Sequence, residues 1–364
     1  MNAKFLLPQH YELVSAYPII IFSFCLFPLL ILSSIKKISL KGFKTPDELL
    51  SIDSSLILRG IAAIIVMIHH YSLRMVNPSK MYYFWHTGYI AVFIFFFLSG
   101  YASFTQLKRK GDTFWNKYFI NRFLRLLIPF VIINTIASIF YLPSPIMYLK
   151  AMISLKRILG NESEWIIIWF LAAILFFTIL FWASFRFVKE EKYALIIFLL
   201  GSVAYAAVNI FVLHHNNFWF NTTPAFFTGI MYARFKPIIS DFLNRTKIFL
   251  LPLAAIFAAA LFFLTTKGYQ HWSIQMLCGE FILILVIFFD EYAVLRSVIL
   301  KRIGIASWEL FLIHPLIYSI YYSVCKDRYG ISGIVCIILS IVSGILINLF
   351  DDFIFSALKR IVIR

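Results

Sequence analysis

Apolar runs long enough to cross a bilayer recur along the whole chain, and they leave few folds open. Eleven stand out, at roughly 13–35, 56–76, 84–106, 123–142, 165–184, 193–212, 218–235, 247–266, 273–290, 301–324 and 331–355. A helix needs about 20 predominantly apolar residues to span the hydrocarbon core, where each backbone group must be satisfied within the segment. The runs lack the two-residue alternation of an outer-membrane barrel. The seventh is the weakest, short and interrupted by Pro224. Only 14% of the 364 residues are charged and 62% are hydrophobic, whereas soluble domains are about 25% charged. The pattern predicts an all-α polytopic membrane protein with about 11 transmembrane helices.

Charge sets the expected orientation. The formal net charge is +16, and the cations cluster in short loops rather than in a basic, aromatic groove, so nucleic-acid binding is not expected. With the N-terminus outside and the C-terminus inside, the inner loops hold most of the Lys and Arg, among them Lys36, Lys37, Lys108, Arg109 and Lys110. The first run is longer than a signal peptide core and is followed by Lys36, Lys37, Lys41 and Lys44, which reads as a retained helix. Residues 1–51 are then expected to hold an N-terminal transmembrane helix and a cytosolic loop, with ten further helices over 52–364. The longest loops, 36–55 and 143–164, leave no room for a soluble domain. Cys25, Cys278, Cys325 and Cys336 make no C-x-x-C pair or metal-ligand spacing, so neither a disulfide framework nor a metal site is expected.

Within the second run, Arg59 and His70 lie eleven residues apart. Eleven steps of a helix return to within about 20° of the start, some 16 Å further along the axis. A charged side chain inside the membrane costs at least about 2.5 kcal/mol by insertion scales. Arg59 alone would suit a snorkelling anchor, and His70 alone a packed histidine. Sharing one face, they suggest chemistry inside the bilayer, with His70 as general base. His69 points about 80° away.

Further polar groups fall at matching depths. Ser99 and Gly100 lie near the inner end of the third run, where glycine permits close helix approach. Arg122 and Arg125, spaced i, i+3 ahead of Pro129, form a basic mouth suited to a polyanion with several phosphates. Depth alone places Glu280 near His70, as its orienter, and Glu309 near Arg59, as its partner. Neutral burial of either acid is an equal alternative. Trp85, Trp219 and Trp272 suit an interfacial aromatic belt.

Several stretches resemble the acyltransferase-3 family of bacterial membrane O-acyltransferases. R-G-I-A-A-I-I-V-M-I-H-H is similar to that family's Arg-x10-His motif, with Arg59 and His70 in the motif positions. G-Y-I-A-V-F-I-F-F-F-L-S-G-Y resembles its G-x-x-G-V-D-x-F-F-x-L-S-G-[FY] motif, with Ala91 at the second Gly and Phe93 at the common acidic position. R-F-L-R, then W-F-L at Trp169 to Leu171, F-F-T-G-I-M-Y at Phe226 to Tyr232, and I-G-I-A-S-W-E-L-F-L-I-H-P follow in the family's order. Glu309 is unusual within the last of these. The resemblance covers about residues 52 to 355, and it implies a ten-helix unit to which the N-terminal helix is an addition.

The resemblance implies acyl-CoA, acetyl-CoA most often, as co-substrate without a metal. It implies an envelope polysaccharide or lipid-linked glycan as acceptor, met in a bacterial cytoplasmic (inner) membrane among its lipids. On that reading Arg122 and Arg125, with Ser99 and Gly100, contact the donor, while His70, Arg59 and Glu280 serve the chemistry. Composition alone also suits a transporter or flippase for an anionic or lipid-linked substrate, although no internal repeat is evident.

Overall fold

The computed structural model describes residues 13–14, 17–38, 49–141, 144–146, 148–149, 169–325 and 331–362. Its helices are α1 (Tyr17–Ser34), α2 (Ile52–Ser72), α3 (Gly88–Lys110), α4 (Tyr118–Tyr141), α5 (Trp169–Phe187) and α6 (Glu191–Ala207). They continue as α7 (Pro224–Thr266), α8 (Trp272–Tyr292), α9 (Val298–Ile305), α10 (Ser307–Cys325) and α11 (Ser332–Val362). Lys41 and Lys44, residues 165–168 of the expected fifth run and most of the 143–164 loop lie outside the described residues.

Among the described residues, eight stretches are long and apolar enough to cross a membrane, or nine if α9 and α10, bent by 80°, make one span. Eleven runs were expected, and the difference lies in two places. Residues 79–140 form one continuous stretch through two expected runs, because a 3₁₀ helix at Gly111–Lys117 carries the helical backbone from α3 to α4 through a polar junction. Residues 217–266 do the same across α7, whose backbone leaves helical geometry only at Phe235, ahead of Pro237. Among the described residues there are also two short strand pairs. Leu13–Val14 pairs parallel with Met75–Asn77, and Ile35–Ile38 pairs antiparallel with Ala293–Leu295.

Ser51 starts the helix that carries Arg59 and His70. Its hydroxyl accepts from the Ser54 backbone N–H at 3.2 Å, and Asp53 in the first turn faces the positive end of the helix dipole. Asp53 also pairs with Lys301 at 2.7 Å, tying α2 to α9. The two helices cross at glycines. A Cβ on Gly60 would lie 2.1 Å from the Leu300 carbonyl oxygen, and one on Gly304 would lie 1.8 Å from that of Leu56. Helices α3 and α7 cross the same way, through Gly100 against the Phe226 carbonyl and Gly229 against that of Phe97.

Aromatic rings fill the space between helices. Phe177, Phe198 and Phe226 from α5, α6 and α7 stack with centroids about 5.5 Å apart. Facing away from this core, Leu200, Phe249 and Ile256 are exposed, as lipid-facing side chains would be.

Candidate active site

Arg59 and His70 project from α2 into different cavities. Arg59, half-buried, lines a cavity of about 670 Å³ together with Ser99, Lys110, Arg122, Arg125 and Glu309. Arg122 and Arg125 share this wall because three residues make nearly one helical turn. Arg122 donates from Nη2 to the Ser103 hydroxyl at 2.7 Å. Arg125 pairs with Asp352 and lies 4.0 Å over the Phe355 ring. The indole N–H of Trp308 donates to the Leu126 carbonyl at 3.0 Å, pinning α10 to α4 across the cavity.

The sequence pairing of Glu309 with Arg59 is met only in part. Both line this cavity, yet the Glu309 carboxylate accepts from Asn348 at 3.1 Å and no ion pair joins it to Arg59. Ser99 also lines the cavity, its hydroxyl donating to the Phe95 carbonyl at 2.7 Å. Gly100 lies on another face, in the crossing with α7.

His70 lines a second cavity of about 270 Å³, with His69, Tyr89, Trp169, Asn221 and Phe311. Its Nδ1 lies 2.7 Å from Nε2 of His314, the ring planes 12° apart. The Nδ1 of His314 is 2.9 Å from the Leu310 carbonyl oxygen. A carbonyl can only accept, so His314 Nδ1 carries the hydrogen and its Nε2 is a lone pair. That lone pair requires a hydrogen on His70 Nδ1, which leaves His70 Nε2 as a lone pair with no donor among the described residues. The relay thus sets the tautomer of a base. His70 is held from the other side as well, because Arg74 donates to its backbone carbonyl at 2.7 Å.

His69 reaches the same cavity in a different state. Its Nδ1 bonds the Phe84 carbonyl at 2.9 Å, and its Nε2 edge lies against Gly88, where a Cβ would come within 2.5 Å. Glu280 does not meet His70. Its carboxylate accepts both contacts of the Thr228 hydroxyl, at 3.0 and 3.1 Å, and His314 holds the orienting position instead. Phe93, at the position where the resembling motif carries an acid, packs its ring against Gly279. Among the described residues, no group of three or more His, Cys, Asp or Glu is placed to hold a metal ion.

His314 is the residue whose role sequence reasoning missed. The signal was the stretch I-H-P: a histidine in an apolar run, wholly buried here, beside a proline that cannot continue the helical ladder. Phe311, one turn earlier, lines both cavities and so forms the wall between Arg59 and His70.

A family model described as an acyltransferase domain, that of acyltransferase-3, matches residues 50–349. No curated protein and no solved structure matches the chain. The match runs from the start of α2 into α11 and takes in the histidine pair and, but for Asp352, the lining of both cavities, so the chain belongs to the acyltransferase-3 family and is a multi-pass membrane acyltransferase.

Proposed function

We propose that the protein moves an acyl group, acetyl above all, from cytosolic acyl-CoA to a hydroxyl of a cell-envelope glycan or lipid-linked saccharide, in a bacterial cytoplasmic membrane. The observation that carries this reading is the His70–His314 pair, with its free Nε2, set one partition away from a cavity lined by four cations. The phosphates of the donor would lie against Arg122, Arg125 and Lys110, where charge-assisted and bidentate bonds are available. Its thioester arm would pass Phe311 towards His70.

His70 Nε2 then takes the proton of the acceptor hydroxyl as the oxygen attacks the thioester carbonyl. The C–O bond forms, the C–S bond breaks, and the thiolate takes the proton back from His70 Nε2 before the thiol withdraws towards the basic cavity. As imidazolium, His70 keeps its Nδ1–H on His314, so the ring does not turn during the transfer. The apolar walls of Phe311, Trp169 and Tyr89 exclude water and protect the thioester from hydrolysis.

The test is transfer of labelled acetyl from acetyl-CoA to envelope glycan in membranes carrying wild type, His70→Ala or His69→Ala. Label is expected in wild type, and at least about tenfold more in His69→Ala than in His70→Ala. Equal label in wild type and His70→Ala would refute the base assignment.

A further inference from the structure

Beside the His70 cavity lies a third, of about 410 Å³, whose lining is unusual in kind. Five carboxamides converge there: Asn216, Asn217, Asn221, Gln270 and Gln275. Trp85, His86 and Tyr89 complete the aromatic side, and no Lys, Arg, Asp or Glu is among the described lining residues. The cavity shares His69, Gly88, Tyr89, Phe218 and Asn221 with the smaller one, so the two adjoin, and His70 lines the far one.

Three lining side chains, Asn221, His86 and Tyr89, hold buried polar atoms without partners. Asn221, 3% exposed, donates its amide to Gln275 at 2.8 Å, which leaves its own Oδ1 buried and unbonded. Nε2 of His86, 6% exposed, is likewise buried and unbonded. A buried polar atom left unpaired is unfavourable, and a ligand hydroxyl bonded to it would relieve that cost. The Asn221–Gln275 bond also leaves the Gln275 NH₂ to donate.

We infer that this cavity is the acceptor subsite and that it selects an uncharged sugar ring. A carboxamide offers acceptor and donors together without charge, which matches hydroxyl groups that each donate and accept. The Trp85 indole supplies an apolar face for the ring. A carboxylate or phosphate on the sugar would be desolvated here with no cation to meet it. Asn221, shared by both cavities, would turn one hydroxyl towards His70. The inference rests on the acyl-transfer reading for its chemistry, and on the lining for its selectivity.

Saturation-transfer NMR on the full chain in lipid nanodiscs, free of glycoside detergent, tests it. The probes are methyl glucoside, methyl galactoside and N-acetylglucosamine against methyl glucuronide and methyl galacturonide. Neutral rings are expected to saturate, with the uronides about tenfold weaker. Asn221→Leu should cut the neutral signal by a similar factor, and Gln270→Ala serves if that variant does not fold. Equal saturation by uronides, no saturation by any neutral ring, or an unchanged signal in a folded variant would each overturn the inference. A parallel arm gives the same neutral rings an isoprenyl aglycone. A gain there identifies a lipid-linked source, equal signals identify a free glycan, and both agree with a neutral-ring subsite. Acetyl transfer is measured separately. Selective binding without transfer would refute the transferase reading alone, and transfer with equally good uronide binding would refute this one alone.

Discussion

The two ends of α2 face opposite kinds of chemistry. Around Arg59 the cavity wall carries four cations, and two acids, Glu309 and Asp352, temper them. Around His70 the polar groups are neutral, chiefly imidazoles and carboxamides with the Thr222 and Tyr89 hydroxyls, without an ionised chain of either sign in the described lining of the two adjoining cavities. Long-range charge captures a polyanion but discriminates little among its attachments. Neutral hydrogen-bonding groups exert little pull and discriminate by shape and by the cost of an unmatched donor or acceptor. The difference suits a common, highly charged donor at one end and a particular acceptor at the other, with Phe311 between them.

The sharpest way to break this division is to remove the base. His70→Ala should lower transfer by about 10²–10⁴-fold while acetyl-CoA still binds, as titration of purified protein would show. Loss of donor binding in that variant would mean that the ends are not separate. Next in size, Arg122→Ala or Arg125→Ala should each weaken acetyl-CoA by ~10- to 100-fold, the worth of a bond to a charged group, and leave the KM for acceptor unchanged. The weakening should shrink as salt rises. A smaller effect is expected at the partition. Phe311→Trp adds bulk where the donor arm must pass, and kcat should fall about tenfold with both KM values little altered. Smallest is Asp352→Asn, which releases Arg125 from a half-exposed ion pair and should tighten acetyl-CoA by no more than about fivefold.

Much of the helical architecture could be read from composition and spacing, because in hydrocarbon each segment must satisfy its own backbone. Local periodicity placed Arg122 and Arg125 on one wall, and it placed Arg59 and His70 on one face. It did not show that Phe311 would divide that face into two cavities. The pairing of His70 with His314 spans 244 residues and depends on how α10 crosses α2, which close approach at Gly60 and Gly304 helps to set. Depth counting put Glu280 at the level of His70 but carried no information on azimuth, and α8 turns that carboxylate to Thr228 on α7. The segment count diverged where α3 met α4 and within α7, because helical turns run through residues whose polarity suggested loops.

The most direct test of the division uses proteoliposomes with the protein in a single orientation and labelled acetyl-CoA supplied to one side at a time. Label should reach a neutral glycan acceptor on the His70 side only when acetyl-CoA is on the side of Arg122 and Arg125, and His70→Ala should abolish it. Transfer with acetyl-CoA confined to the His70 side, or undiminished transfer by His70→Ala, would contradict the assignment of donor and acceptor to opposite ends.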